Sequence, residues 1–281
     1  VLPKTLGITG IGLLGGSIAI RARQVFKENI KIIGFSRNPD NIKELPQSKV
    51  FDEVLSYSEL SKTSECDLTI ICTPVLLIPK VFKSIKTFLK SDAIVTDIGS
   101  TKYKIIKEIS DSSFIGSHPM AGSEKNGFEN SDPSILINAT CVITPYNNSE
   151  SQVKTVSEFW EGLGMKVIKL PPELHDEIVA QTSHSIHIIS FLISYTLSES
   201  KYSNENFYNI YGKGLLDTTR ISKSDPEMWY DIIATNKENI LEFLEKFRTN
   251  LENIERILKD GKNLEAIKKI MEKAKEFREK L

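Results

Sequence analysis

Up to about residue 170, short β-branched apolar runs alternate with stretches of helical periodicity. The runs Thr5–Thr9, Lys31–Phe35, Leu68–Cys72, Ala93–Thr96, Ser113–Ile115, Cys141–Ile143 and Lys166–Lys169 predict strands. Pro79–Leu89 and Glu150–Leu163 predict helices between them. Alternation of this kind with short connections marks an α/β domain, a Rossmann-type doubly wound and mostly parallel sheet. Pro171-Pro172 ends the alternation, and nothing beyond it reads as a strand. Ile240, Leu244, Phe247, Leu251, Ile254 and Leu258 follow a 4-3-4-3-4 spacing, which places them on one helix face. Asp260-Gly261 interrupts that stripe, and Leu264, Ile267, Met271, Ala274 and Phe277 predict a second amphipathic helix. The chain therefore divides into residues 1–171, a dinucleotide-binding type of domain, and residues 172–281, an all-helical domain. The long stripe needs a cover. An intramolecular bundle and a homodimer interface both meet that need, and the dimer is the favoured expectation.

At 281 residues, two domains are the natural expectation. With 36 Lys and Arg against 37 Asp and Glu, the formal net charge is −1, which argues against a nucleic-acid or anionic-membrane partner. Cys66, Cys72 and Cys141 lie in or beside apolar strand-like runs and lack metal-ligand spacing. They are expected to be reduced packing residues of a cytoplasmic protein. The opening residues Val1-Leu2-Pro3-Lys4-Thr5 do not resemble a signal peptide, and no segment has the length and apolarity of a membrane span.

The first strand runs directly into Gly10-Ile11-Gly12-Leu13-Leu14-Gly15-Gly16-Ser17, followed by a helical Ile18-Ala19-Ile20. A glycine triplet alone is weak evidence, but here it sits between a first strand and a first helix, where phosphate binding requires it. Gly10 would make the tight turn, Gly12 would admit the pyrophosphate, and Gly15 would let helix and strand pack closely. The helix N-terminus, at Leu13 and Leu14, would supply N–H groups and partial positive charge. An oxidoreductase using NAD or NADP is the expectation. Ser36 stands where NAD-specific sites place an acidic residue on the ribose, and Arg37 follows it. That pair favours NADP, while nearby Asp40 keeps NAD open. Thr73-Pro74-Val75, after the third strand, would lie at the same carboxyl edge, as a cofactor-covering loop or as a plain strand end.

Two further strand ends carry polar clusters, Asp97-Ile98-Gly99-Ser100-Thr101-Lys102 and Gly116-Ser117-His118-Pro119-Met120-Ala121-Gly122. Oxidising an alcohol requires a group to take the hydroxyl proton as hydride departs, and an imidazole suits that task. His118 is the first candidate. Asp176 and His187 lie eleven residues apart, roughly 16 Å along a helix, too far for an ion pair within one straight helix. Asp176 is thus expected at a helix start or an interdomain contact. His184 and His187 could share a metal by spacing, but no third ligand is in view, so no metal is expected.

These motifs, together with Ser123-Glu124-Lys125-Asn126-Gly127, Pro172-Glu173-Leu174-His175-Asp176, Ser183-His184-Ser185-Ile186-His187 and Asp217-Thr218-Thr219-Arg220-Ile221-Ser222-Lys223-Ser224-Asp225-Pro226-Glu227-Met228-Trp229, resemble those of the prephenate/arogenate dehydrogenase family, in family order along nearly the whole chain. The resemblance implies oxidative decarboxylation of prephenate by NAD(P)+ in tyrosine biosynthesis. Under it, His118 takes the proton of the ring hydroxyl, Ser100 assists there and touches the cofactor, and Arg220 holds the ring carboxylate. His187 contacts the side-chain carboxylate, Ser123 and Glu124 line the pocket, and the helical domain forms a homodimer. Many members carry Pro between the two histidines where this chain has Ser185-Ile186. Arogenate dehydrogenase is the nearest alternative. A β-hydroxyacid dehydrogenase shares the plan but does not account for His118 beside Arg220, and a non-catalytic NAD(P) sensor predicts binding without turnover.

Overall fold

The computed structural model describes residues 2–122, 125–202 and 209–280. Eight strands form one sheet: β1 (Thr5–Thr9), β2 (Lys31–Ser36), β3 (Glu53–Ser56), β4 (Leu68–Ile71), β5 (Ile94–Asp97), β6 (Phe114–Pro119), β7 (Thr140–Thr144) and β8 (Lys166–Lys169). Their order is β3-β2-β1-β4-β5-β6-β7-β8, reversing direction across the sheet at β1/β4 as a doubly wound fold requires. All neighbours are parallel except β6 and β7. β4 and β5 are buried along their whole length, so their apolar residues do not alternate with exposed ones.

Seven of the eight strands lie where the hydrophobic runs predict them. β3 is missing from that prediction because it is a short edge strand whose only buried side chain is Val54. β6 runs four residues further than its apolar part. Phe114 and Ile115 pair parallel with β5, and Gly116–Pro119 pair antiparallel with β7, His118 opposite Val142. The polar Ser117 and His118 hide this extension from a hydrophobicity reading. His118 is consequently held by sheet, not by a loop.

The helices in chain order are α1 (Leu13–Phe26), α2 (Pro39–Lys43), α3 (Ile78–Ile85), α4 (Tyr103–Ile109), α5 (Glu150–Gly162), α6 (Pro172–Val179), α7 (Ser185–Ser198), α8 (Lys213–Thr219), α9 (Pro226–Asp260) and α10 (Glu265–Arg278). α1 buries Ile18, Ala19, Ala22 and Phe26, and α5 buries Val156, Phe159 and Trp160 in the same core cluster as the strands. A capping box of Ser149 and Gln152 starts α5. Pro172 occupies the first turn of α6, where its missing N–H costs nothing.

By compactness the chain groups into residues 1–236 and residues 237–281. Asn236, at the junction, departs from helical dihedrals within α9 (φ −133°, ψ 27°). In the second group, Leu251 and Leu258 of α9 and Met271 and Phe277 of α10 remain 48–65% exposed. The predicted break at Asp260-Gly261 falls where α9 ends, with Gly261 at φ +64°. Cys66 and Cys141 are buried and Cys72 half-buried, all three unpaired. Among the described residues, no helix is long and apolar enough to cross a membrane.

Candidate active site

The carboxyl ends of β1, β4, β5 and β6 open on one cavity of about 970 Å³. At its β1 side Gly10 has φ +94°, and a Cβ there would lie 2.7 Å from the Cys72 carbonyl oxygen. A Cβ on Gly15 would come within 2.2 Å of the Gly10 carbonyl oxygen. Both positions therefore demand glycine, one for its turn and one for close packing. Around Gly12, in contrast, a Cβ would meet nothing within 4 Å, and the residue lines the cavity with Leu13, Leu14 and Gly15. α1 begins there with no side-chain cap, so among the described residues no side chain answers its first-turn N–H groups. Beside it, the buried Thr73 hydroxyl lacks a hydrogen-bond partner among the described residues, and Thr73, Pro74 and Val75 line the same space. Open room, unanswered N–H groups and an orphaned hydroxyl suit a dinucleotide's phosphates.

Ser36 and Arg37 follow β2, the neighbour of β1, and the Gly10 N–H donates to the Phe35 carbonyl (2.9 Å). The Ser36 hydroxyl accepts from the Asn38 N–H (3.2 Å), and Arg37 is exposed. Asp40 lies one turn on with its side chain 88% exposed, 3.7 Å from Lys43.

Further along the cavity come Ser100, His118, His184, His187 and Arg220. Ser100 is half-buried and Arg220 exposed. Among the described residues, Arg220 is paired with no carboxylate. Ser123 and Glu124 lie outside the described residues. A π-turn, Ala180–His184, joins α6 to α7. This widened turn interrupts the regular helix between α6 and α7, and such turns recur at functional sites. His187 then stacks on Trp229 (ring centroids 4.0 Å apart) and donates from Nδ1 to the Ser183 carbonyl (3.0 Å). Burial lowers the His187 pKa from its usual range, and Arg220 adds to the effect. His184 is buried, its Nδ1 accepting from the Asn236 amide (3.1 Å), and burial pushes its pKa down to about 4.

His118 has its pKa held well below the usual range by burial first, then by His175, Lys102 and His184. It is a neutral imidazole, the form a general base needs. Its Nδ1 lies 2.9 Å from His175 Nε2, and His175 Nδ1 lies 2.7 Å from Asp176 Oδ1. Asp176 also accepts from the Lys102 N–H (2.8 Å) and the Tyr103 N–H (3.0 Å) at the start of α4. The contact between α6 and the sheet domain expected of Asp176 is thus present. In the sequence His175 stands only as part of the Pro172–Asp176 motif, with no role of its own: the dipeptide shows no periodicity, and neighbours i and i+1 on a helix are not expected to face one another. Behind these residues Lys102 and Asp97 form a fully buried ion pair. Lys102 also donates to the Ser117 carbonyl (2.8 Å), and Asp97 accepts from the Ser117 N–H (2.9 Å) and the Gly99 N–H (2.9 Å). This polar lattice ties the ends of β5 and β6 together and fixes the strand that carries His118.

A phosphate-binding turn continuous with a pocket of neutral imidazoles and one arginine defines an oxidoreductase that uses a nicotinamide dinucleotide. Which oxidoreductase follows from comparison with known families. A model of the prephenate dehydrogenase nucleotide-binding domain matches residues 19–169, and one of the prephenate dehydrogenase dimerization domain matches residues 171–273. The chain belongs to the prephenate dehydrogenase family. It is 32% identical to a prephenate dehydrogenase of Lactococcus lactis subsp. cremoris over 98% of its own length and 77% of that protein's. The structure of prephenate dehydrogenase from A. aeolicus with hydroxyphenyl propionate and NAD+ aligns with a TM-score of 0.87 at 31% identity, covering 99% of this chain and 96% of that one. Synechocystis arogenate dehydrogenase aligns with a TM-score of 0.83 at 26% identity, covering 98% and 99%.

Proposed function

We propose that this enzyme oxidatively decarboxylates prephenate to 4-hydroxyphenylpyruvate and CO2 with NADP+ as the preferred acceptor. The observation that carries the reading is the single cavity lined by the glycine turn at one end and by His118, His187 and Arg220 at the other. The bound nicotinamide supplies a hydride acceptor. The chain supplies the rest. His118 takes the proton of the ring hydroxyl, with Ser100 beside it, while the ring carboxylate leaves as CO2 and its electron pair aromatises the ring. Arg220, a planar donor without a carboxylate partner among the described residues, suits a ring carboxylate in a bidentate pair. Ser123 and Glu124 are proposed to line the same pocket. The preference for NADP rests on the absence of an acidic residue at Ser36 and on the exposed guanidinium of Arg37. Residues 1–171 act as the nucleotide-binding domain, and residues 172–281 complete the substrate site and form a cytoplasmic homodimer.

One observation favours arogenate as a second reading. With Nδ1–H given to the Ser183 carbonyl, a neutral His187 presents a lone pair at Nε2. That lone pair accepts from an ammonium, as on the alanyl side chain of arogenate. To hold the carboxylate of prephenate the ring must be protonated.

Initial rates with prephenate and arogenate, each with NAD+ and NADP+, test both readings. Turnover of prephenate that is more efficient with NADP+ is expected, and no turnover of either substrate overturns the proposal. Arg220→Ala should raise KM roughly 10–100-fold, the worth of a charged hydrogen-bonded pair. His118→Asn should lower kcat about 10²–10⁴-fold with little change in KM.

A further inference from the structure

His118, His175 and Asp176 lie in a row, and the hydrogen bonds at the far end dictate the protonation of the near end. The N–H groups of Lys102 and Tyr103 can only donate, so Asp176 accepts both as a carboxylate. Asp176 Oδ1, 2.7 Å from His175 Nδ1, is then an acceptor there too, and the proton sits on Nδ1 of His175. Neutral His175 has its lone pair at Nε2, 2.9 Å from His118 Nδ1, so the His118 proton sits on Nδ1. That leaves the lone pair of His118 at Nε2, the ring nitrogen not engaged by His175. His175 is fully buried, Asp176 is 2% exposed, and neither lines the cavity. No solvent competes for these bonds.

We propose that His175 and Asp176 are positioning residues that set His118 as an Nε2 base and take up the charge it acquires. The inference rests on the dehydrogenase reading above. As the substrate O–H bond breaks, a bond forms between that proton and His118 Nε2. The Nδ1 proton of His118 passes to His175 Nε2, and the positive charge comes to rest on the ring that touches the Asp176 carboxylate. The reverse transfer, followed by return of the proton from His118 Nε2 to the phenolate oxygen that aromatisation leaves, resets the pair and releases the product as the phenol. A resting place beside Asp176 is needed because the groups facing His118 offer none. Lys102 is a cation committed to Asp97, and His184 is a buried neutral ring whose Nδ1 is already occupied.

Two variants separate setting the tautomer from holding the proton. His175→Gln offers an amide oxygen that can accept from His118 Nδ1 but cannot be protonated near neutrality, whereas His175→Phe offers no acceptor. Nitrogen NMR of the histidine rings in the ligand-free protein reads the tautomer without any turnover. The wild-type protein should show His118 protonated at Nδ1 and bare at Nε2, the Gln variant should keep that state, and the Phe variant should show a mixture. In steady-state kinetics the Phe variant should lose about 10²–10⁴-fold in kcat, the range seen when a catalytic histidine is left in the wrong tautomer. The Gln variant should fall between Phe and wild type, and both should keep KM within about threefold because neither residue touches substrate. A wild-type His118 protonated at Nε2 overturns the tautomer assignment. A Gln variant with wild-type kcat overturns the proton-holding role, whether or not the Phe variant folds. A wild-type enzyme inactive on prephenate and arogenate removes the dehydrogenase reading instead, while the ring spectra still decide the tautomer.

Discussion

Ile8, Ile33, Ile70 and Val95 on the parallel strands are completely buried, whereas Phe247, Leu251 and Leu258 on α9 stand 41, 48 and 59% exposed. Both sets belong to regular apolar patterns, one on strands and one at helical spacing. The strands find their cover within the chain, from α1 and α5 among others, so their burial is a local consequence of the doubly wound topology. The α9 stripe is uncovered along much of its length. Periodicity specifies a face; it does not specify what covers that face. The contrast extends to polar groups, because the sheet domain seals Lys102, Asp97, His175 and Asp176 away from water while the charged side chains of α10 stay solvated. Perturbations should therefore act strongly in the sheet domain and weakly in the helical segment.

The largest effect on the fold is expected at Lys102. Lys102→Met leaves the Asp97 carboxylate buried without its cation, which should cost about 3–5 kcal/mol in urea unfolding. Adding Asp97→Asn should recover part of that loss, because the remaining amide no longer carries an uncompensated charge. A single variant within about 1 kcal/mol of wild type would show that the lattice joining β5 and β6 does not hold the sheet edge.

Acid should act on the same region somewhat less strongly. His184 has an ordinary pKa of 6.5 when unfolded and about 4 in the fold, lowered by burial against the opposing pull of Asp176. Above pH 6.5 neither state binds the proton. As pH falls, the unfolded chain takes the proton first, so the stability present above 6.5 is lost as pH passes down through about 4, by at most about 3 kcal/mol. His118 shifts in the same direction. Urea unfolding of wild type and His184→Gln across this window checks the claim, and the variant should show the shallower pH dependence. Parallel pH profiles would mean that His184 titrates alike in the folded and the unfolded chain, and that burial does not lower its pKa.

Much of this architecture was legible from residue patterns. Seven strands, the glycine turn and the helical nature of the second half follow from periodicity and from the steric needs of Gly10 and Gly15. What escaped notice follows from burial in three dimensions. β3 is too short and too exposed to carry an alternating signal. His118 lies within β6 because antiparallel pairing with β7 extends that strand past its apolar residues. His175 and Lys102 join one network only when α6 packs on the start of α4, a contact between residues more than seventy positions apart. The π-turn before His184 leaves no proline or glycine to reveal it.

The smallest effect on the fold, and the sharpest test of the contrast, belongs to Leu258. In a lone chain its side chain is mostly in water, so Leu258→Ser should change the unfolding free energy by no more than about 0.5 kcal/mol. If a second copy covers the stripe, the same substitution removes a leucine from an apolar interface, worth about 1.5–3 kcal/mol for each side chain fully buried. The dimer dissociation constant should then rise on the order of 10–100-fold, and Tm should become less dependent on protein concentration, since association adds to apparent stability by mass action and a weaker dimer adds less. Sedimentation equilibrium of wild type and variant separates the two cases. We expect a wild-type dimer that Leu258→Ser weakens while the urea unfolding of dilute protein stays nearly unchanged. A wild-type protein that sediments as a monomer at micromolar concentration would leave the α9 stripe with no copy of itself to cover it, and the regular 4-3-4 spacing would then need a different partner.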